Sequence, residues 1–401
     1  MGTSRVTVAT LEGIRAEVIT TDRLTTRVLF SGPDDGIPVL FIHGNFSSAT
    51  WWEESMLALP EKYRAIAPDQ RGFGDADPAV KVNAQRGMSD LVEDAIALMD
   101  HLGHDKFHLV GNSLGGLVAW WMMAAWPQRL LSVTLPGAGS PYGFGATTDE
   151  LGTPVNDDYA GSGGGLLNRE LIRNISEGNR TDDSLFTPRS VLRLLVWGPP
   201  FIPEREDTLL EATMHVHLGD RDLPGDHESS ANWPYFSPGK WGATNAMSPK
   251  YAGDLVERIL AAEPKPKVLW IYGADDVAVS NTAASDPATR GQAGLLEGYP
   301  GAELYPHQPM MRQIRKVLDD YAARGGEYEE VAINDSGHVP FMSHPDEFNR
   351  SFHNHLECCE PLISHPVLRS SPKQHAAGKP ATSCCRRLRS SLATRVFTRL
   401  R

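Results

Sequence analysis

Phe107-His108-Leu109-Val110-Gly111-Asn112-Ser113-Leu114-Gly115-Gly116 joins a short apolar run to a serine set among glycines, and a second apolar stretch follows. The first run reads as a strand buried on both faces of a parallel sheet. The second, residues 114–126, is apolar nearly all round and reads as a helix deep in the core. Gly111, Ser113 and Gly115 fit the pattern G-x-S-x-G, in which a serine occupies a sharp strand-to-helix turn. Small neighbours are required there, because the turn is strained and a Cβ beside it would collide with the adjoining chain. The turn lifts the Ser113 hydroxyl to the sheet edge, and the helix behind it aims free N–H groups at developing negative charge.

Similar apolar runs, each closed by turn residues, recur on both sides of this stretch. Residues 38–42 end at His43-Gly44-Asn45, 63–67 at Pro68-Asp69, 131–135 at Pro136-Gly137, 267–272 at Gly273 and 329–333 at Asn334-Asp335. Residues 15–19 and 25–30 read as an opening pair of strands with alternating exposure. Residues 90–102 place Leu91, Ala95, Leu98, Met99 and Leu102 on one helical face. Strands alternating with helices imply an α/β fold, with a mostly parallel central sheet flanked by helices.

The rhythm breaks between residues 140 and 266, an interval rich in Gly, Pro and Trp. Its helices, such as 189–196 and 250–262, read as not followed by core strands. So long an insertion between sheet strands is expected to form a helical cap over an enclosed site. The expected organisation is a core over 1–139, the cap over 140–266, more core over 267–356 and a basic tail over 357–401. A second insertion, 280–326, contains a helix at 310–323. The tail has no hydrophobic periodicity and is expected to be disordered.

A serine hydroxyl is a poor nucleophile at neutral pH and needs a base within reach, for which imidazole is suited. Of fourteen histidines, His338 directly follows a strand, in Ser336-Gly337-His338-Val339-Pro340, ahead of a helix starting at Pro345. His101, His104 and His108 read as surface residues, while His215, His217 and His227 fall in the cap. The base needs a buried carboxylate from another loop. Asp276, after the strand ending at Gly273, is the candidate, with Asp275 as the alternative. Oxyanion donors are expected from the backbone N–H groups of Leu114 and Asn45, with Phe46 as a substitute for the latter. His43 reads as a structural ring, and Asp69 and Arg71 as side chains bonded to backbone near the elbow. Trp51, Trp52, Trp120, Trp121, Trp197, Trp233 and Trp241 are candidates for an apolar acyl pocket.

Composition narrows the function further. Hydrophobic residues make up 41% and charged residues 22%, with nine tryptophans, which fits a soluble globular protein with a sizeable core. Residues 361–401 hold nine Lys or Arg and no Asp or Glu, so residues 1–360 carry 29 basic against 50 acidic side chains, a formal charge of −21. A body so acidic repels nucleic acid and anionic membranes, leaving a small neutral or apolar substrate as the expected partner. The four cysteines, Cys358, Cys359, Cys384 and Cys385, stand at or beyond the end of the core, so disulfides do not hold the fold. The first ten residues lack secretory-signal features and no apolar run approaches twenty residues, so a cytoplasmic setting is expected. Oligomeric state is not legible.

These residues resemble the α/β-hydrolase superfamily over roughly residues 10–356, with His43-Gly44, the segment 69–74, the Ser113 elbow, Gly273 with Asp276, and Gly337-His338 in that family's order. The resemblance implies a Ser113-Asp276-His338 triad that works through an acyl-enzyme without metal or organic cofactor. His-Gly-Asn is similar to haloalkane dehalogenases, whose nucleophile is an aspartate followed by Trp. In this chain Ser113-Leu114 stands there. Gly-Asn-Ser-Leu-Gly-Gly also resembles C–C bond hydrolases of the meta-cleavage type, although Asn45-Phe46-Ser47-Ser48 replaces their small-residue loop. Esters, lactones and thioesters are the broader expectation. A diketone C–C hydrolase and a capped ligand sensor with slow hydrolysis are the alternatives.

Overall fold

Strands β1 (Arg15–Thr20), β2 (Thr25–Ser31), β3 (Ile37–Ile42), β4 (Tyr63–Pro68), β5 (Phe107–Gly111) and β6 (Leu130–Pro136) form where the apolar runs stand. The computed structural model describes residues 8–360. Most of the tail, including Cys384 and Cys385, lies outside the described residues. Cys358 is exposed and Cys359 half-buried, both as free thiols.

Helices α1 (Glu53–Leu57), α2 (Ser89–His101) and α3 (Leu114–Ala125) separate these strands. Between β6 and the next long strand come α4 (Arg169–Ser176), α5 (Pro188–Val191) with a π-helical turn at Leu192–Trp197, and α6 (Glu206–Met214). Two short pairs follow, β7 (Leu218–Gly219) with β8 (Leu223–Pro224), and β9 (His227–Ser229) with β10 (Phe236–Pro238). Then come α7 (Ala243–Ala246), α8 (Leu255–Ala261), β11 (Lys267–Gly273), α9 (Pro287–Gln292), α10 (Met310–Ala323), β12 (Tyr328–Ile333), α11 (Pro340–Ser343) and α12 (Pro345–Glu357).

The eight long strands form one sheet in the order β1-β2-β4-β3-β5-β6-β11-β12, antiparallel only at the β1-β2 and β2-β4 pairs. Because a strand's side chains alternate between faces, β3 sends Leu40 and Ile42 into one core cluster and Val39 and Phe41 into the other. The first cluster is completed by α2, α3, α8 and α10, the second by Trp51, Trp52, Phe341, Phe348 and Phe352. Both faces of the central parallel strands β3, β5, β6 and β11 are therefore buried, which is why their sequences read as continuous apolar runs, while β12 at the sheet edge is largely exposed.

Two expectations need correction. Helix α8 leads directly into β11 and packs with α3 in the same cluster, so the end of the 140–266 interval belongs to the layer flanking the sheet. His108 is fully buried within β5, its Nδ1 2.8 Å from Ser132 Oγ. It lies inside a strand buried on both faces, so a surface position was never open to it.

Strand order places the site. From β3 the chain goes to β4 on one side and then returns to β5 on the other, so the order reverses between β3 and β5. In open α/β sheets ligands bind at such a reversal, beyond the carboxyl ends of the strands. Ile42 and Gly111, the last residues of β3 and β5, pair there, and parallel pairing brings the ends of β6, β11 and β12 to the same edge.

Candidate active site

Ser113 sits between β5 and α3 at φ 56° and ψ −115°, a strained backbone for a residue with a side chain. The close packing that holds it explains its neighbours. A Cβ on Gly111 would strike Gly115 O, and one on Gly115 would strike Ile42 O. Gly44 lies against the turn so closely that a Cβ there would come within 3.0 Å of both Asn112 Oδ1 and Ser113 Cβ. The Ser113 side chain is half-buried.

At the same edge, His338 Nδ1 lies 2.7 Å from Asp276 Oδ2. The other carboxylate oxygen of Asp276 accepts from the N–H groups of Ala278 at 2.7 Å and Val279 at 2.9 Å, which fixes the group's orientation. Asp276 is buried and Asp275 exposed, so the geometry pairs Asp276, not its neighbour, with the imidazole. A carboxylate on Nδ1 leaves Nε2 as the free ring nitrogen, the arrangement a general base requires.

No hydrogen bond joins the Ser113 hydroxyl to His338 among the described residues; the connection runs through Asn112. Its Nδ2 donates to Pro136 O at 2.8 Å and to His338 O at 3.4 Å. Gly137 fits beside this bridge, where a Cβ would stand 3.1 Å from His338 Nδ1. Contacts between nucleophile and base commonly tighten only when substrate is bound. Asn112 is a site residue that the sequence reading passed over, although it occupies the first variable position of the G-x-S-x-G pattern.

Among the described residues, neither the Asn45 nor the Leu114 backbone N–H donates to a protein acceptor. The Phe46 N–H is instead taken by Asn45 Oδ1 at 3.1 Å, which removes it as the substitute donor. His43 stabilises this loop: the Gln70 N–H donates to its Nε2 at 3.0 Å, and its Nδ1 lies 2.8 Å from Gly44 O. Burial pushes the His43 imidazole down to about 4, so it stays neutral and accepts that bond. Gln70 Nε2 also donates to His43 O at 2.7 Å.

Asp69 and Arg71 do not reach the elbow. Asp69 pairs with Arg27 and accepts from Ala49 N and Asp75 N, while Arg71 pairs with Asp94. Of the seven candidate tryptophans, Trp51, Trp52, Trp120, Trp197 and Trp233 are buried. Trp52 stacks on Phe341 at 4.3 Å between ring centroids, Trp51 lies 6.3 Å from Trp197, and Trp233 lies 4.7 Å from Tyr305.

The family of the α/β-hydrolase fold matches residues 37–291. The chain belongs to that family. It is 32% identical over 338 residues to epoxide hydrolase 3 of Siraitia grosvenorii, covering 80% of this chain and 92% of that protein. It is also 32% identical over 110 residues to an uncharacterized carboxylesterase of Bacillus subtilis, covering 27% of this chain and 36% of that one. Several curated relatives are spanned over only 36% to 45% of their own length. Among solved structures, a putative aryl esterase from Burkholderia cenocepacia superposes with a TM-score of 0.52 at 18% identity, covering 86% of this chain and 99% of that one. A serine hydrolase from Cycloclasticus zankles gives 0.52 at 15%, covering 86% and 98%. At such identities these likenesses concern the fold.

Among the described residues there is no cluster of three or more His, Cys, Asp or Glu placed to hold a metal ion, and no helix long and apolar enough to cross a membrane.

Proposed function

We propose that this hydrolase cleaves a carboxylic ester, lactone or related acyl bond of a small apolar substrate through an acyl-enzyme on Ser113. The observation that carries this reading is the buried His338–Asp276 pair, delivered to the sheet edge that also carries the strained Ser113.

In this cycle the Ser113 oxygen attacks the carbonyl carbon while His338 Nε2 takes the hydroxyl proton. Asp276 holds the ring through Nδ1–H and stabilises the imidazolium. The carbonyl oxygen, now negative, meets the free N–H groups of Leu114 and Asn45, the first of which opens α3 and adds the positive end of its dipole. The intermediate collapses, the C–O bond to the alcohol breaks, and His338 returns the proton to the departing oxygen. Water then attacks the acyl-serine with the same base, releasing the acid and restoring Ser113.

The relatives named as epoxide hydrolases raise a second chemistry, and Ser113 speaks against it. A serine that opened an epoxide would be left as an alkyl ether, which has no carbonyl for water to attack. An acyl-serine has one.

The interval after β6 supports an enclosed site. His217 N donates to Gly72 O at 3.0 Å, Trp51 Nε1 to Leu209 O at 3.3 Å and His338 N to Val196 O at 3.0 Å, so the interval is tied to loops that follow β3, β4 and β12. We read it as a cap over the carboxyl edge. The acidic body favours uncharged or apolar substrates over nucleic acid.

The test is turnover of a panel of p-nitrophenyl esters and lactones, with vinylogous diketones alongside, by the wild type and Ser113→Ala. Ester or lactone turnover that disappears in the folded variant supports the proposal. Full activity in Ser113→Ala overturns it, and turnover of diketones alone moves the reaction to a C–C bond.

A further inference from the structure

The main chain of His338 is fastened from two directions. Its N–H donates to Val196 O at 3.0 Å, and its C=O accepts from Asn112 Nδ2 at 3.4 Å. Val196 belongs to the π-helical turn Leu192–Trp197. The last carbonyls of a helical segment lack partners within it, so Val196 C=O is available to a neighbouring chain. Gly337 lies flush against the same turn: a Cβ there would stand 2.7 Å from Trp197 O and 3.1 Å from Gly198 Cα. The turn is itself anchored, because Trp197 is fully buried and packs on Trp51 in the segment after β3. π-Helical turns are rare and occur often at functional sites.

We propose that the turn at 192–198 is a positioning element for the general base: the interval bordering the site also carries half of the mount that sets where the His338 imidazole stands relative to Ser113. This rests on the serine-hydrolase reading. Asn112 supplies the other half from the elbow side. Anything that shifts the turn, including movement of the interval as substrate enters, shifts the base with it. A segment that merely bounded the substrate would act on KM. One that mounts the base acts on kcat.

The test compares wild type with Gly337→Ala, which wedges a methyl group against Trp197 O, and with Leu185→Ala, whose exposed side chain lies in the same interval but outside the turn. Since a misplacement of about 1 Å can cost about a hundredfold, the expected loss of kcat in Gly337→Ala on p-nitrophenyl acetate is about tenfold or more, with KM little changed. The downfield proton signal of the His338–Asp276 hydrogen bond should move in Gly337→Ala and stay in place in Leu185→Ala. Trp197→Phe, which loosens the anchor without adding bulk, repeats the test should Gly337→Ala not fold. Unchanged kcat and an unmoved proton signal in a folded variant, or a change confined to KM, would overturn the proposal. The proton signal needs no turnover, so it judges the mount even if Ser113 proves not to be the nucleophile.

Discussion

His338 Nδ1 meets Asp276 Oδ2 at 2.7 Å, inside the protein, while Asp275 one residue earlier is exposed to solvent. Two adjacent carboxylates are thereby given different environments by the turn after β11, whose N–H groups at Ala278 and Val279 hold Asp276. Asp276→Asn is expected to lower kcat by about ten-thousandfold, because the amide favours the wrong imidazole tautomer. Asp275→Asn should stay near wild type. Steady-state ester hydrolysis by both variants checks this, and the reverse ranking would reassign the acid.

Ser113 holds a backbone conformation that costs a residue with a Cβ about 1–3 kcal/mol. Ser113→Gly is expected to be inactive but more stable than the equally inactive Ser113→Ala, by about 1 kcal/mol or more. Urea unfolding of the two variants measures the difference, and equal stability would mean that the strain in the elbow is no larger than the extra unfolded-state entropy of glycine, about 0.5–1 kcal/mol.

Three buried imidazoles make the fold sensitive to acid. Burial pushes His43 and His355 down to about 4 and His108 to about 3, so each stays neutral in the fold while the unfolded chain titrates near 6.5. Stability is full above pH 6.5. It falls as pH drops towards 4, because the unfolded state takes up protons that the fold refuses, by about 1.4 kcal/mol per imidazole per pH unit at most. Glu53, Asp94 and Asp286, which burial pushes up, act in the opposite direction. The expected net result is a lower unfolding free energy at pH 5 than at pH 7, measured in urea, and a flat or rising profile would contradict it.

Arg27 and Asp69 form a buried pair, with Nε 3.0 Å from Oδ2, and Asp69 also receives the N–H groups of Ala49 and Asp75. Arg27→Met would leave Asp69 buried without its cation, so a loss of about 3–5 kcal/mol is expected. Thermal or urea unfolding reads it, and a change under 1 kcal/mol would show that the backbone donors alone satisfy Asp69.

The middle of the sheet was legible because β3, β5 and β11 are buried on both faces, which leaves the continuous runs around Leu40, Leu109 and Leu269. Ser113 was legible because its turn admits so few neighbours, and His338 because it follows the last strand. His108 was misread although its own strand pattern implied burial, since a histidine's polarity was weighed above its neighbours. The partner of Asp69 is 42 residues away at Arg27, and local pattern carries no such pairing. The contact of Gly337 with the turn at 192–198 is of the same kind: only the folded chain brings the two together.

The central claim is that Ser113 is an activated nucleophile. The most direct measurement is reaction with a small fluorophosphonate such as diisopropyl fluorophosphate, followed by mass mapping of the modified peptide. One phosphoryl group per chain is expected, on the Ser113 peptide, formed much more slowly in Asp276→Asn. A folded wild-type protein that leaves Ser113 unmodified, or that carries the adduct on another serine, would contradict the account.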